Sequence, residues 1–184
     1  MAIPFLSCMA LVASVYSLPP RVLPAIHALE GGVPGSISHN ADGSEDLGVM
    51  QVNTRWLPPL ARVSRLPTEE VRRRLVVEPC FNIAAAGLIM RSYLVETHGD
   101  LMRAIGDYHS HTPALNVDYQ ARVVAAARRM FAPNALRHET PRGGKIVGER
   151  RRPHRRFVKL HAAYSSLAVP PAVPPNEIMG RAEV

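Results

Sequence analysis

Apolar residues recur at helical spacing over most of the chain. Phe5, Cys8, Met9 and Val12 fall three and four apart, and Leu23, Ile26, His27 and Glu30 repeat the pattern after Pro19-Pro20. This predicts two helices separated by the proline pair. Pro24 is comfortable only if the second helix starts near Val22, so that it falls within the first turn, where its missing N–H does little harm. Gly31-Gly32 then stops that helix. From Val33 to Asp46 no apolar period survives, and Asn40, Asp42-Gly43 and Ser44 are turn formers, so a loop is expected there. Gly48 to Asn53 alternates weakly and reads as either extended chain or a helix start. Pro58-Pro59 marks a further boundary, and Pro67-Thr68-Glu69-Glu70 resembles a helix start with acids in its first turn. Phe81 to Glu96 predicts a long buried helix whose Ala84, Ala85, Ala86 and Gly87 allow close packing. Asp100 to Tyr108 and Asn116 to Phe131 predict two more, broken by Ser110-His111-Thr112-Pro113.

The expected fold is therefore all-α, a single compact helical domain over residues 1–132. Past Pro133 the apolar period fades, and Pro170-Pro171 and Pro174-Pro175 fit unpacked, extended chain. Composition sharpens this division. Apolar residues make up 47% and charged residues 20% of the 184, enough for one core and little else. The formal charge of +7 is concentrated beyond residue 133, where Arg150, Arg151, Arg152, Arg155 and Arg156 crowd together. That segment, 133–184, reads as a basic, Pro-containing tail, and net charge by itself selects no particular anionic partner. The apolar stretch from Ala2 to Tyr16 has no Lys or Arg before Arg21, so it lacks the basic start of an ordinary signal peptide. No run is long enough to be read as a membrane span.

Four groups of residues carry candidate chemistry. Glu30 sits at the C-terminal end of a partly apolar helix, where the helix dipole and desolvation both disfavour its ionised form. A carboxyl group that keeps its proton near neutral pH is what a general acid requires. Gly48-Val49-Met50-Gln51 offers backbone that a ligand can approach and a side chain that both donates and accepts hydrogen bonds. Tyr108-His109-Ser110-His111 gathers polar groups at a helix end, but no other His, Cys or acid lies at helical ligand spacing to complete a metal site, and none is expected. Cys8 and Cys80 are too far apart for a CxxC motif and read equally as two buried thiols or as one disulfide.

In order along the chain, these pieces resemble the lysozyme-like lytic transglycosylases, in particular the small group associated with conjugation, secretion and pilus systems. Leu23 to Glu30 is similar to the helix that ends in that family's catalytic glutamate, with Gly31 where the family usually has Ser. Asn40 to Asn53 resembles the Asn-rich loop that leads into Gly-Leu-Met-Gln-Ile-Asn. Glu78-Pro79-Cys80-Phe81-Asn82 resembles Asp-Pro-Cys-x-Asn. Ala104 to Ser110 resembles the Ala-x-Tyr-Asn signature, with Gly106 for the usual Ala and His109 for the usual Asn. Tyr119-Gln120-Ala121-Arg122-Val123 looks like the closing Tyr-x-x-x-Val element.

The resemblance implies a lysozyme-like fold and cleavage of peptidoglycan between N-acetylmuramic acid and N-acetylglucosamine, with formation of 1,6-anhydro ends. Glu30 would be the single acid and base. Asn40, Gly48, Val49, Met50, Gln51, Tyr108 and His109 would contact the glycan, and Asp46 would brace the loop backbone. The cysteine of the Asp-Pro-Cys element commonly pairs with one ahead of the first domain helix, which favours a Cys8–Cys80 disulfide and a periplasmic or exported location. No cofactor is implied. Partners would be peptidoglycan strands and, through the tail, a secretion or conjugation machine, with nucleic acid disfavoured. A hydrolytic muramidase using Asp42, Glu45 or Asp46 as second carboxyl, and a non-catalytic glycan-binding scaffold, are the alternatives.

Overall fold

The computed structural model describes residues 3–132, and the segment read as a basic tail lies outside the described residues. Among the described residues the chain is mainly helical, as its periodicity predicts. Helix α1 (Leu6–Val15) buries Cys8, Met9, Val12 and Ala13. After Pro19-Pro20, α2 (Val22–Glu30) begins where Pro24 requires, and Gly31 ends it in the left-handed conformation at φ 64° with its N–H on the His27 carbonyl. A serine at that position would carry a side chain into a backbone region that glycine occupies freely.

The stretch between α2 and the next helix corrects the loop expectation. It forms a three-stranded antiparallel sheet of β1 (Ile37–His39), β2 (Glu45–Leu47) and β3 (Val52–Asn53), in that order. Ile37 pairs with Leu47, and Asp46 with Asn53. Strands of two and three residues are too short to display alternation, and their pairing is set by turns. Asp42 accepts from the Ser44 N–H at 2.9 Å, and Asn40 and Ser44 close the β1–β2 hairpin through a backbone bond of 2.9 Å.

A 3₁₀ turn, Thr54–Trp56, is capped by the Asn53 side chain and leads into α3 (Leu57–Ser64). Pro58-Pro59, read as a boundary, marks the first turn of this helix, where no N–H donor is needed. Helix α4 (Thr68–Val77) starts after Pro67 with Glu69 and Glu70 in its first turn. Helix α5 (Pro79–Glu96) begins two residues earlier than expected, with a bend of 111° from α4. Helix α6 (Leu101–His109) is capped by Asp100, which accepts from the Arg103 N–H. Helix α7 (Pro113–Phe131) takes up Pro113 as its first residue.

Helix α5 forms the middle of the core, against α1, α4, α6 and the sheet, while α7 packs on α2 and α6. Gly87 lets α1 approach α5, since a Cβ there would overlap Val12 and lie 2.9 Å from the Tyr16 ring. Cys8 and Cys80 form a disulfide, Cα–Cα 5.6 Å, that ties α1 to the start of α5. One buried side chain, Asn82, joins three elements. It accepts from the Met50 N–H at 2.8 Å and donates to the Leu47 and Leu75 carbonyls at 2.7 and 2.8 Å. Every polar atom of this buried amide is thereby used, and the sheet's last turn is fixed to α4 and α5. No single helix among the described residues is long and apolar enough to cross a membrane.

Candidate functional site

A cleft of about 410 Å³ lies between the sheet and the ends of α2, α5 and α6. Its wall is mostly polar: Glu30, Asp46, Gln51, Arg55, Asp107 and His109 all reach it. Glu30 arrives there because α2 stops one residue later. Burial pushes its carboxyl above the ordinary glutamate value, nearby Asp46 adds to that rise, and a hydrogen bond from Tyr119 together with the Arg122 charge works against it.

The Tyr119 hydroxyl donates to Glu30 Oε1. Tyr119 comes from the middle of α7 and is 2% exposed, and burial followed by the Glu30 charge raises its own pKa far beyond the ordinary tyrosine range. The His109 ring stacks on it, with centroids 4.8 Å apart and planes 8° from parallel. Sequence reading singled out Tyr119 only as part of a closing element and gave it no role. Its one sequence signal was a tyrosine on the inner face of a helix that must pack on α2.

The other candidates separate into two sets. Asn40 lines the cleft, its Nδ2 donating to Ser44 Oγ at 3.1 Å and Asp46 Oδ2 at 2.9 Å, while its Oδ1 takes no hydrogen bond among the described residues. Gln51 also lines the cleft, but its amide is engaged by Ser38 at 2.7 Å and the Gly48 carbonyl at 2.8 Å. Gly48, Val49 and Met50 do not reach the cleft. The side chains of Val49 and Met50 are in the core, and the Met50 N–H and carbonyl are held by Asn82 and by the Tyr108 hydroxyl at 3.0 Å. Tyr108 lines the same cleft as Glu30 while its hydroxyl anchors the turn, and burial, followed by the Glu30 charge, raises its pKa well above the ordinary value.

The reason lies in the turn itself. Gly48 adopts φ 65°, and a Cβ on it would overlap the Leu75 carbonyl and sit 2.6 Å from Asn82 Nδ2. The glycine is needed for packing against α4 and α5, so its backbone faces inward. Asp46 braces the loop, though through side chains: Asn40 and Asn53 donate to its two oxygens at 2.9 and 2.8 Å. Glu45 points to Arg72 at 2.7 Å, outside the cleft, with its pKa lowered by that hydrogen bond. Asp42 lines the cleft rim, where Ser44 lowers its pKa and Arg55 pairs with it at 2.6 Å.

The fold also does what sequence spacing did not foresee around His111. Glu96 from the end of α5 and Asp107 from α6 come together with it, one donor atom from each within 4.8 Å of the others.

With this geometry in place, comparison with known proteins becomes informative. The chain is similar to invasion protein IagB. It is 28% identical over 116 residues to the protein of that name from Salmonella typhimurium, strains SL1344 and LT2, and from Salmonella typhi. The similarity spans 62% of this chain and 69% of the relative. No family model matches the chain.

Proposed function

We propose that this chain is an exported peptidoglycan lytic transglycosylase with Glu30 as its acid and base. The observation that carries the reading is Glu30 itself, a carboxyl group whose pKa burial raises and whose position Tyr119 fixes in a polar cleft. Such a group donates a proton at a pH where an exposed glutamate is ionised. Four acids against one arginine line the cleft among the described residues, which suits an uncharged, hydroxyl-rich polymer and repels the phosphates of nucleic acid.

Glu30 protonates the glycosidic oxygen as the bond to the anomeric carbon of N-acetylmuramic acid breaks. The positive centre is stabilised by the sugar's own acetamido group, as in substrate-assisted glycosidases. Glu30, now ionised, removes the proton from the C6 hydroxyl, whose oxygen closes the 1,6-anhydro ring. Asn40 Oδ1 is the acceptor available for the acetamido N–H. His109 holds Tyr119, and Tyr119 holds Glu30. The disulfide fits an oxidising compartment such as the periplasm, and the role beside a secretion or conjugation machine rests on the resemblance of the sequence motifs.

Asp42 and Asp46 both line the cleft, and Asp46, whose charge acts on Glu30, is the acid that favours hydrolysis. Both its oxygens are occupied by asparagine amides, which leaves it poorly placed to take a proton from water. Mass spectrometry of muropeptides released from purified peptidoglycan decides the matter. Anhydro ends from wild type and none from Glu30→Gln are expected. Reducing ends would replace the reading with a muramidase, and glycan binding without any products would replace it with a scaffold.

A further inference from the structure

Glu96, Asp107 and His111 form a cluster that the glycan chemistry does not use. His111 Nε2 lies 3.1 Å from Glu96 Oε1, and all three donor atoms fall within 4.8 Å of one another. Donors bound to one zinc-like ion at about 2.0 to 2.2 Å are separated by roughly 3 to 4 Å, so small rotations of the two exposed side chains complete the set. Neither carboxylate pairs with a lysine or arginine among the described residues.

A second observation comes from Asp107. Its side chain is 5% exposed, yet only Oδ1 is satisfied, by Asn116 Nδ2 at 2.7 Å. Its Oδ2 accepts no hydrogen bond among the described residues, and Asp107 lines the cleft beside His111. That oxygen is open to the cleft, since the one fully buried side-chain polar atom without a partner among the described residues is His27 Nε2, and it presents a free acceptor beside a second carboxylate, whose repulsion a cation would relieve.

The surroundings are arranged as outer-shell support. Asn116 orients Asp107 from behind and is itself held by the Ser110 and Arg103 carbonyls at 3.3 and 3.4 Å. Gly106 makes this possible, since a Cβ at that position would overlap the Asn116 amide. The unusual glycine of the Ala104–Ser110 segment therefore belongs to the support of Asp107. The Tyr93 ring stands edge-on to His111, centroids 5.4 Å apart and planes at 68°, and limits how far the imidazole turns. Such partners orient ligands and raise affinity in known metal sites.

We propose that Glu96, Asp107 and His111 bind one divalent transition-metal ion of the zinc type at the rim of the cleft. Two carboxylates and a neutral imidazole balance a doubly charged ion, and the imidazole disfavours calcium and magnesium, which prefer all-oxygen sites. The remaining coordination position faces the cleft and takes water.

The test uses the full, oxidised chain and Zn²⁺ alone, by isothermal titration calorimetry, with His111→Ala and Glu96→Gln as variants. Both substituted side chains are exposed, so folding is preserved and is checked by circular dichroism. Because His111 is one of eight histidines, the reading is a difference. Wild type is expected to bind one more equivalent than either variant, or to bind that equivalent at least about tenfold more tightly. Co²⁺ should give visible absorption bands that are weakened in both variants. Equal stoichiometry and affinity in all three proteins, or no uptake by wild type, overturns the proposal. The result is independent of whether peptidoglycan is cleaved.

Discussion

Replacing Tyr119 with phenylalanine removes one hydroxyl and leaves the ring that stacks on His109. That hydroxyl donates to Glu30 Oε1 and is the largest influence holding the Glu30 pKa down against burial. Hydrogen bonds to charged groups contribute about 1.5 to 3 kcal/mol. Losing a contact of that size should raise the Glu30 pKa further in the variant. A general acid works while protonated, so the alkaline limb of the pH–rate profile should move upward with it. The rate on the acid side of the optimum should fall, because the carboxyl is no longer aimed by its partner. Two assays report this: release of dye-labelled fragments from peptidoglycan across the pH range, and ¹³C NMR titration of the Glu30 carboxyl carbon. An unshifted or lowered midpoint would refute the reasoning, because it would mean that Tyr119 does not stabilise the ionised form.

Glu30→Gln should raise the melting temperature at neutral pH. Burial raises the folded pKa of Glu30 above its ordinary value of 4.5, so its contribution to stability is intact below that value and is lost as pH rises through the folded pKa. The gain from the glutamine should therefore vanish in acid, which thermal melts at two pH values would detect. Reducing the Cys8–Cys80 disulfide opens a loop with a sequence separation of 72. The chain-entropy relation gives a loss of about 4 kcal/mol, measurable as a lower urea midpoint with reductant. Asn82→Leu should cost about 3 kcal/mol or more, because it leaves the Met50 N–H and the Leu47 and Leu75 carbonyls without partners. Equilibrium denaturation measures the loss, and a cost below about 1 kcal/mol would mean that water replaces the amide.

Helices such as α2 and α6 were legible because a buried stripe repeats along the chain, and α5, buried on nearly all sides, was legible as a long run of apolar and small residues. Leu23, Ile26 and Glu30 mark α2 by their spacing alone, and Pro24 even fixes where it starts. The same reasoning placed Glu30 at a helix end beside glycine, which is half of the site. It failed at β1 and β2 and left β3 undecided between extended chain and a helix start, because strands of two and three residues are held by the Asn40–Ser44 turn and by Asn82, a residue distant in sequence. Pro58-Pro59 did mark a boundary, the start of α3, because a proline pair is tolerated in a helix only at its first turn.

Sequence alone determined a helical core, a candidate acid, and two cysteines at positions where a bridge is possible, because these depend on local spacing and residue type. Tertiary structure decided which groups meet. It turned Gly48, Val49 and Met50 inward, because Gly48 packs against the Leu75 carbonyl and Asn82. It brought Tyr119, 89 residues away, onto Glu30, and gathered Glu96, Asp107 and His111 from two helices and a link. Burial, hydrogen-bond partners and local charge set the acidity of a carboxyl group, and all three depend on which helices pack together. Those contacts span long stretches of chain, where no periodicity can record them.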